Sequence, residues 1–343
     1  MKTNFQTIDK HYSVLIIGTG ATNKYLYEVV QPEYQREAFE VFGASSLTEA
    51  YNEFVDGMHN ISDIYLLNIE TKYDYTKIGK IVAEYDFSYI VPVDVLLSDS
   101  YFDPNKNGKR TYYLQDMIEL SGEENNSVFI VTDKSASLYQ TIDLFLKDMI
   151  EVQNSFKNIV NNNFCRENVM FVANNLSGTE YANVILARMI TNSRINEYPK
   201  SDIKIDSYGT VYDMDYTDSI GSMIYFRSHA DGSVTAENLL NFAPDNIPTK
   251  IFTIYRICLY IAKELDFSDY IGSYYTAYKK QQIENIVTNY LSSITGSLIT
   301  EFKINQVYAE ENPYHPGTVN VILKYSIKPI GCAERFITQS VRI

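Results

Sequence analysis

Gly18-Thr19-Gly20 follows the apolar run Val14 to Ile17, a setting in which a main chain can cradle a phosphate. In the dinucleotide fingerprint one glycine makes the tight turn and a second lets the backbone approach the pyrophosphate. A third lets the following helix pack close to the strand. Gly18 and Gly20 fit the first two places, but the third is Asn23. The fingerprint also wants an acidic residue closing a second strand about 20 residues on. Glu37 and Glu40 lie near that distance, yet "QREAFEVFG" reads as a short helix or a turn. A match on two glycines is weak, so residues 12–30 are expected to form a buried strand that turns at its glycines, with no cofactor. A nucleotide-dependent enzyme on a Rossmann-like domain is the competing reading.

Other stretches offer less. "DMDYTDS" places Asp213, Asp215 and Asp218 in a loop, and carboxylates at that spacing can bind Ca²⁺ or Mg²⁺. The EF-hand pattern also needs Gly at its sixth place and Glu at its twelfth, and neither is present, so a solvated turn and no metal are expected. "RSHADG" contains Arg227, His229 and Asp231, but a hairpin turn explains its Asp-Gly without chemistry. Neither "FGASSL" nor "IGSMI" meets the G-x-S-x-G pattern of a nucleophile elbow. There is no P-loop and no HExxH. His11, His59, His229 and His315 are isolated from one another. Cys165, Cys258 and Cys332 are far apart and lack metal-ligand spacing, which suits a reducing compartment. No catalytic residue is assigned, and the chain is expected not to be an enzyme.

The formal net charge of -14 argues against a nucleic-acid partner, which would need Lys and Arg in surplus, and against an anionic membrane surface. With 45% hydrophobic and 21% charged residues the chain reads as globular, and its 343 residues suffice for two or three domains. "MKTNFQTIDK" has no apolar core of a secretory signal, and no stretch approaches a membrane span. A chain made in the cytoplasm and soluble there is expected. The 30 tyrosines without a tryptophan suit extensive contact surfaces, or follow from an AT-rich genome.

The elements that would position these residues alternate. "SVLII" reads as a strand, and "SSLTEAYNEFVDGM" as a helix capped by Ser. "ISDIYLLNIE" and "SYIVPVDVLLS" read as strands, the second with Pro92 suggesting an edge or a bulge. "DPNKNGKR" reads as a loop and "SVFIVTD" as a strand. A long amphipathic helix covers 137–160, "ENVMFVANN" is a strand and "TEYANVILARMITN" a helix. This alternation predicts a mostly parallel sheet with helices on both faces, in an N-terminal segment 1–100 and a middle segment 101–200. Residues 201–219 are polar and turn-rich and mark a boundary. The C-terminal α+β domain, 201–343, is expected to hold a hairpin around Asp231-Gly232 and helices through Leu265 and over Thr276–Thr295. It should end in the strands "EFKINQVYAE", "GTVNVILKYSIKP" and "ERFITQSVRI".

In the second of these strands Val319, Val321, Leu323, Tyr325 and Ile327 share a face, and Ile322 interrupts the otherwise polar opposite face. In the third, Ile337, Val341 and Ile343 alternate to the last residue. An unpaired strand of this kind exposes its hydrogen-bonding edge. It either pairs inside its own domain or pairs with another subunit by β-augmentation.

These stretches in their order resemble the tail sheath proteins of contractile phages and related contractile particles. The likeness is carried by "YSVLIIGTG", "FEVFGASSLTEAYNEFVDGMHNISDIYLLNI", "EYANVILARMITNSRINEYPK", "RICLYIAKEL", "YIGSYYTAYKKQQIENIVTNYL" and "TVNVILKYSIKPIGCAERFITQSVRI". The Bacillus and Clostridium prophage type is most similar at "IKPIGCAERFITQSVRI". The resemblance implies a mechanical protein with no active site, whose copies stack as hexameric rings around a tail tube. Its partners would be further copies of itself, the tube protein, and baseplate and tail-terminator proteins. It would be located in the virion tail after assembly in the host cytoplasm. In that family extended terminal arms of neighbouring subunits join a sheet, which points to Phe336, Ile337, Val341 and Ile343 as an interface. Only "MKTNFQTIDK" precedes His11 where the family has a longer arm, so a sheath-like tail-terminator or baseplate accessory protein is the alternative.

Overall fold

A computed structural model describes residues 13–56, 64–104, 108–122, 127–160, 162–193, 195, 199–201, 210–212, 214, 220–245, 250–265, 267, 270, 272–312 and 317–330. The chain forms two compact units, Met1–Arg194 with Tyr198–Phe252, and Thr253–Ile343 with Ile195–Glu197.

The first unit runs β1 (Val14–Gly18), β2 (Val29–Val30), α1 (Glu37–Phe42), α2 (Ser46–Val55), β3 (Ile64–Asn68), α3 (Tyr75–Ala83) and β4 (Tyr89–Pro92). It continues with β5 (Ser100–Asp103), β6 (Lys109–Tyr112), α4 (Tyr113–Ser121), β7 (Val128–Thr132), α5 (Ile142–Ile159), α6 (Asn163–Glu167) and β8 (Val169–Val172). It closes with α7 (Ala182–Asn192), β9 (Lys200–Ser201), β10 (Met223–Ser228) and β11 (Val234–Glu237). Nine of these strands form a sheet in the order β2-β3-β1-β4-β7-β8-β10-β11-β9. From β3 to β10 neighbouring strands are parallel; β2, β11 and β9 pair antiparallel. The mostly parallel α/β sheet anticipated from the alternating pattern is present, and it takes in β10 and β11 beyond residue 201.

Every residue of β1, β3, β7 and β8 is buried, so both faces of these strands are covered. Side chains alternate across a strand. Leu15, Ile17, Tyr65, Leu67, Phe129 and Val131 therefore share one core with Ile78 of α3, Met117 of α4 and Phe145 and Phe156 of α5. Helices α2 and α7 pack against β1, β3, β4, β7 and β8. α2 begins where the sequence says it should: Ser45 Oγ accepts from the Thr48 amide, and the Thr48 hydroxyl accepts from the Ser45 amide. α5 is capped by Thr141, whose hydroxyl accepts from the Leu144 amide. α3 and α4 approach closely at Gly79, where an added Cβ would lie 2.7 Å from Leu120 Cβ and 2.9 Å from the Met117 carbonyl oxygen.

One strand expectation is corrected. β4 is not an edge strand, since it lies between β1 and β7. Pro92 is tolerated because it is the last residue of β4, past the β7 ladder, which involves only Tyr89 and Ile90.

The second unit holds α8 (Phe252–Glu264) from Thr253 onward, α9 (Ala277–Ile294), β12 (Ile299–Glu311) and β13 (Val319–Pro329). α9 is capped by Thr276 and buries only the stripe Ile283, Val287 and Leu291. β12 and β13 form an antiparallel two-stranded ribbon. The C-terminal helices and these two strands follow the expected pattern. The third expected strand, within 334–343, lies outside the described residues.

Candidate functional site

The loop after β1 can be tested directly as a phosphate site. β3-β1-β4 places β1 at the point where the strand order reverses, and the carboxyl end of such a pair is where doubly wound sheets hold ligands. Here that crevice is filled by the chain. The Thr19 amide donates to Asp94 Oδ2 at 2.6 Å, and the Ser46 hydroxyl donates to the same oxygen at 2.8 Å. The Gly20 amide donates to Asn68 Oδ1 at 2.8 Å, while Asn68 Nδ2 donates to the Thr22 and Lys24 carbonyls. A Cβ at Gly18 would lie 2.6 Å from Val93 Cγ2, and one at Gly20 would lie 2.9 Å from Asn68 Oδ1. The glycines are there because protein packs against them, and the two amides that a pyrophosphate would take already have side-chain acceptors. Glu37 and Glu40 lie on α1, not at the end of a second strand.

Two other clusters carry no open chemistry. At the β10–β11 turn the Asp231 carboxylate accepts from the Ser233 amide and hydroxyl, which hold it below the usual carboxylate range. His229 Nε2 bonds Thr235 Oγ1, so the Arg-His-Asp stretch is an exposed, internally bonded turn. Lys157 Nζ donates to Ser222 Oγ at 2.9 Å, a serine–lysine pairing that the sequence did not suggest. Burial, then the neighbouring Lys250, pull the Lys157 ammonium down to about 8. Ser222, however, is 0% exposed, which leaves a substrate no approach to its hydroxyl. Burial pushes the Cys258 thiol up to about 11, so it is a poor nucleophile. Among the described residues no His, Cys, Asp and Glu side chains gather into a metal-binding group, and no helix is long and apolar enough to cross a membrane.

The surface with unsatisfied character is the β12–β13 ribbon. At about 3.3 Å per residue its 13-residue strand extends roughly 40 Å. Register shifts occur between Ile299 and Glu301 and between Ile304 and Gln306. The second shift changes which parity of β12 faces inward. Phe302 and Ile304 pair with Ile327 and Tyr325, whereas Val307 and Ala309 pair with Leu323 and Val321. The apolar face anticipated on β13 therefore exists, but it is unevenly covered. Leu323, Tyr325 and Ile327 are half-buried, while Val321 is 42% and Val319 48% exposed. Beside these valines lies a groove of about 900 Å³, lined also by Phe267, Tyr270, Tyr274 and Tyr275. Tyr274 is 91% exposed. No other described strand pairs with either edge of the ribbon.

A second groove, about 700 Å³, lies on the first unit among Glu49, Glu53, Asp56, Glu180 and Tyr181. Tyr181 donates to Glu49, and burial raises the Glu53 carboxyl against the opposing pull of Arg188. Arg188 is 1% exposed and donates to the Glu53 and Asp56 carbonyls, closing the C-terminal end of α2.

Phe336, Ile337, Val341 and Ile343 lie outside the described residues, as do Asp213, Asp215 and Asp218. Sequence reasoning did not find Asp94, Asn68 or Arg188. Their roles depend on tertiary neighbours, and the one available signal was Asp94 as a lone carboxylate within the apolar stretch "SYIVPVDVLLS".

No family sequence profile matches the chain, and no curated protein matches it in sequence. Its fold does match solved structures along nearly its whole length. A chain of the anti-feeding prophage baseplate, 6-fold symmetrised, aligns over 100% of this chain and 96% of its own, with TM-score 0.66 and 8% identity. A chain of the extracellular contractile injection system PVC sheath complex in its contracted state aligns over 97% and 92%, with TM-score 0.62 and 12% identity. A chain of the anti-feeding prophage helical sheath, also contracted, aligns over 98% and 94%, with TM-score 0.61 and 9% identity. The chain has the fold found in the sheath and baseplate of contractile injection particles.

Proposed function

We propose that a chain with this sheath fold is itself a structural subunit of a contractile tail sheath. Copies polymerise as stacked hexameric rings around a tail tube, and their contraction drives the tube through a cell envelope. The observation that carries the reading is the end-to-end correspondence of fold with sheath chains, at more than nine-tenths of both lengths. The protein works without catalysis or cofactor, in the tail of a virion or related particle. Its partners are its own copies, the tube, and baseplate and terminator proteins.

The ribbon gives this reading a physical means of assembly. A two-stranded ribbon is marginal in water, and open edges invite further strands. Residues Glu334 to Ile343 of a neighbouring copy supply such a strand, with Phe336, Ile337, Val341 and Ile343 at the contact. Several backbone hydrogen bonds at ~1 kcal/mol each, plus apolar burial, decide assembly when repeated around a ring. A second reading, a sheath-like protein at the baseplate or tail terminus, is favoured by the match to a baseplate chain.

Deletion of 334–343 tests the proposal. The parent should form rings or tubes under the electron microscope, and the truncated chain should stay folded with its melting transition retained but remain monomeric. A parent that stays monodisperse and small would count against the sheath reading. Tubes formed by the truncated chain would place the linkage elsewhere, and unfolding would assign the strand to the core of its own unit.

A further inference from the structure

The carboxylate of Asp94 occupies the place where a doubly wound sheet receives its ligand. Proteins of this topology bind anions there because main-chain amides at the β1 turn and the start of the next helix converge on one point. In this chain the converging donors are the Thr19 amide and the Ser46 hydroxyl, and both meet one oxygen, Asp94 Oδ2, at 2.6 and 2.8 Å. Ser46 is the first residue of α2, and Asp94 follows β4 by two positions. The remaining donors are already committed: the Leu47 amide faces the Thr19 carbonyl at 3.4 Å, and the Thr48 amide faces Ser45 Oγ.

We propose that Asp94 is an internal ligand. The chain supplies its own anion to the crevice between β1 and β4, and that anion ties together the β1 loop, the start of α2 and the end of β4, elements far apart in sequence. If so, the donors keep their affinity for a carboxylate when the side chain that satisfies them is cut away. This separates an internal ligand from an ordinary surface hydrogen bond, whose donors would simply turn to water. The inference is independent of the assembly reading, since it concerns one unit alone.

The test uses the full chain with Asp94→Ala, which removes the carboxylate and leaves its space, and Asp94→Asn, which keeps the shape without the charge. Asp94→Ala loses two hydrogen bonds to a charged acceptor, and its melting temperature should fall on the order of 5 °C. Asp94→Asn retains an acceptor oxygen but loses the charge, and should fall by a smaller, measurable amount. Sodium formate, titrated against sodium chloride at equal ionic strength, should restore part of the loss in Asp94→Ala in a saturable way. It should leave the parent and Asp94→Asn unmoved, because their crevice is filled. If Asp94→Ala is recovered only as aggregate, its refolding yield in formate against chloride is the readout. The proposal is overturned if Asp94→Asn melts with the parent. It is equally overturned if formate acts alike on all three chains, or if it acts on none.

Discussion

Replacing Val319 and Val321 together by Thr should separate folding from assembly. Thr keeps the branched shape and the strand preference of Val, so β13 should still form. The two valines are 48% and 42% exposed in the chain alone. Fully covering a valine is worth ~1.5–3 kcal/mol. Covering the remaining two-fifths to one-half is therefore worth about 0.6–1.4 kcal/mol per residue, or about 1–3 kcal/mol for the pair. Burying a hydroxyl in its place adds about 1–3 kcal/mol each where it lacks a partner. The association constant for one subunit contact should then drop by at least roughly tenfold. Exposed substitutions change folding by about 0.5 kcal/mol or less, so urea unfolding of the dissociated chain should hardly move. Sedimentation velocity over a concentration series, beside electron microscopy, reads the first quantity, and urea titration reads the second. A double variant that assembles at the parent's concentration would refute the idea that the open end of the apolar face is a contact. One that unfolds early would show these valines to belong to the unit's own core.

Two further outcomes follow from packing and protonation. Gly79→Ala should destabilise the chain by about 1 kcal/mol in urea unfolding. The Ala gain of about 1 kcal/mol in helix preference is outweighed by an overlap with Leu120 and the Met117 backbone that costs about 1–3 kcal/mol, and a stabilised variant would refute the close α3–α4 approach. Alkaline pH should unfold the chain through its tyrosines. Burial and the Asp74 bond raise Tyr27 from 10.0 to about 12, and burial raises Tyr51, Tyr101, Tyr139, Tyr181 and Tyr290 further. The native state holds these protons above pH 10 while the unfolded chain loses them, so their contribution is full below pH 10 and is lost as pH rises through the folded values. Lys157, lowered from 10.5 to about 8, acts the other way and raises stability slightly between those values. Thermal melts across this range with tyrosinate absorbance should show ionisation arriving together with unfolding. Complete ionisation near pH 10 in a still-folded chain would contradict the burial argument.

Much of the first unit was legible because its signals are local. The apolar runs that became β1, β3, β7 and β8, and the serine cap of α2, need no knowledge of neighbours; the Thr141 cap was passed over, and the helix read over 137–160 starts at Ile142. β2 is two residues long, and β5–β6 is a small ribbon at the place read as a loop, so neither carried a periodic signal. Pro92 misled because a proline excludes only the ladder bond that its missing N–H would make, and at the end of β4 no such bond is needed. At the first candidate site the seating of Asp94 and Asn68 on the two amides was not legible, because each bond joins residues more than 40 positions apart. The parity of β13 was visible as alternation. The uneven cover along it was not, because cover depends on where α9 and side chains such as Tyr274 and Tyr275 lie.

Arg188 bonds the carbonyls of Glu53 and Asp56, and it is not alone in choosing main-chain partners. Asn68 bonds the carbonyls of Thr22 and Lys24, Asn183 those of Pro92 and Ile130, Asn175 those of Tyr212 and Phe226, and Gln153 that of Ile220. A carbonyl is the same whatever side chain its residue carries. The residues that receive these bonds can drift freely without breaking them, and no compensating change is called for across the contact. Paired substitutions, the usual trace of spatial neighbours in diverging lineages, would not accumulate at these contacts. An architecture pinned in this way can keep its shape while its sequence departs almost completely, which is the situation of chains that superpose along their whole length at 8–12% identity.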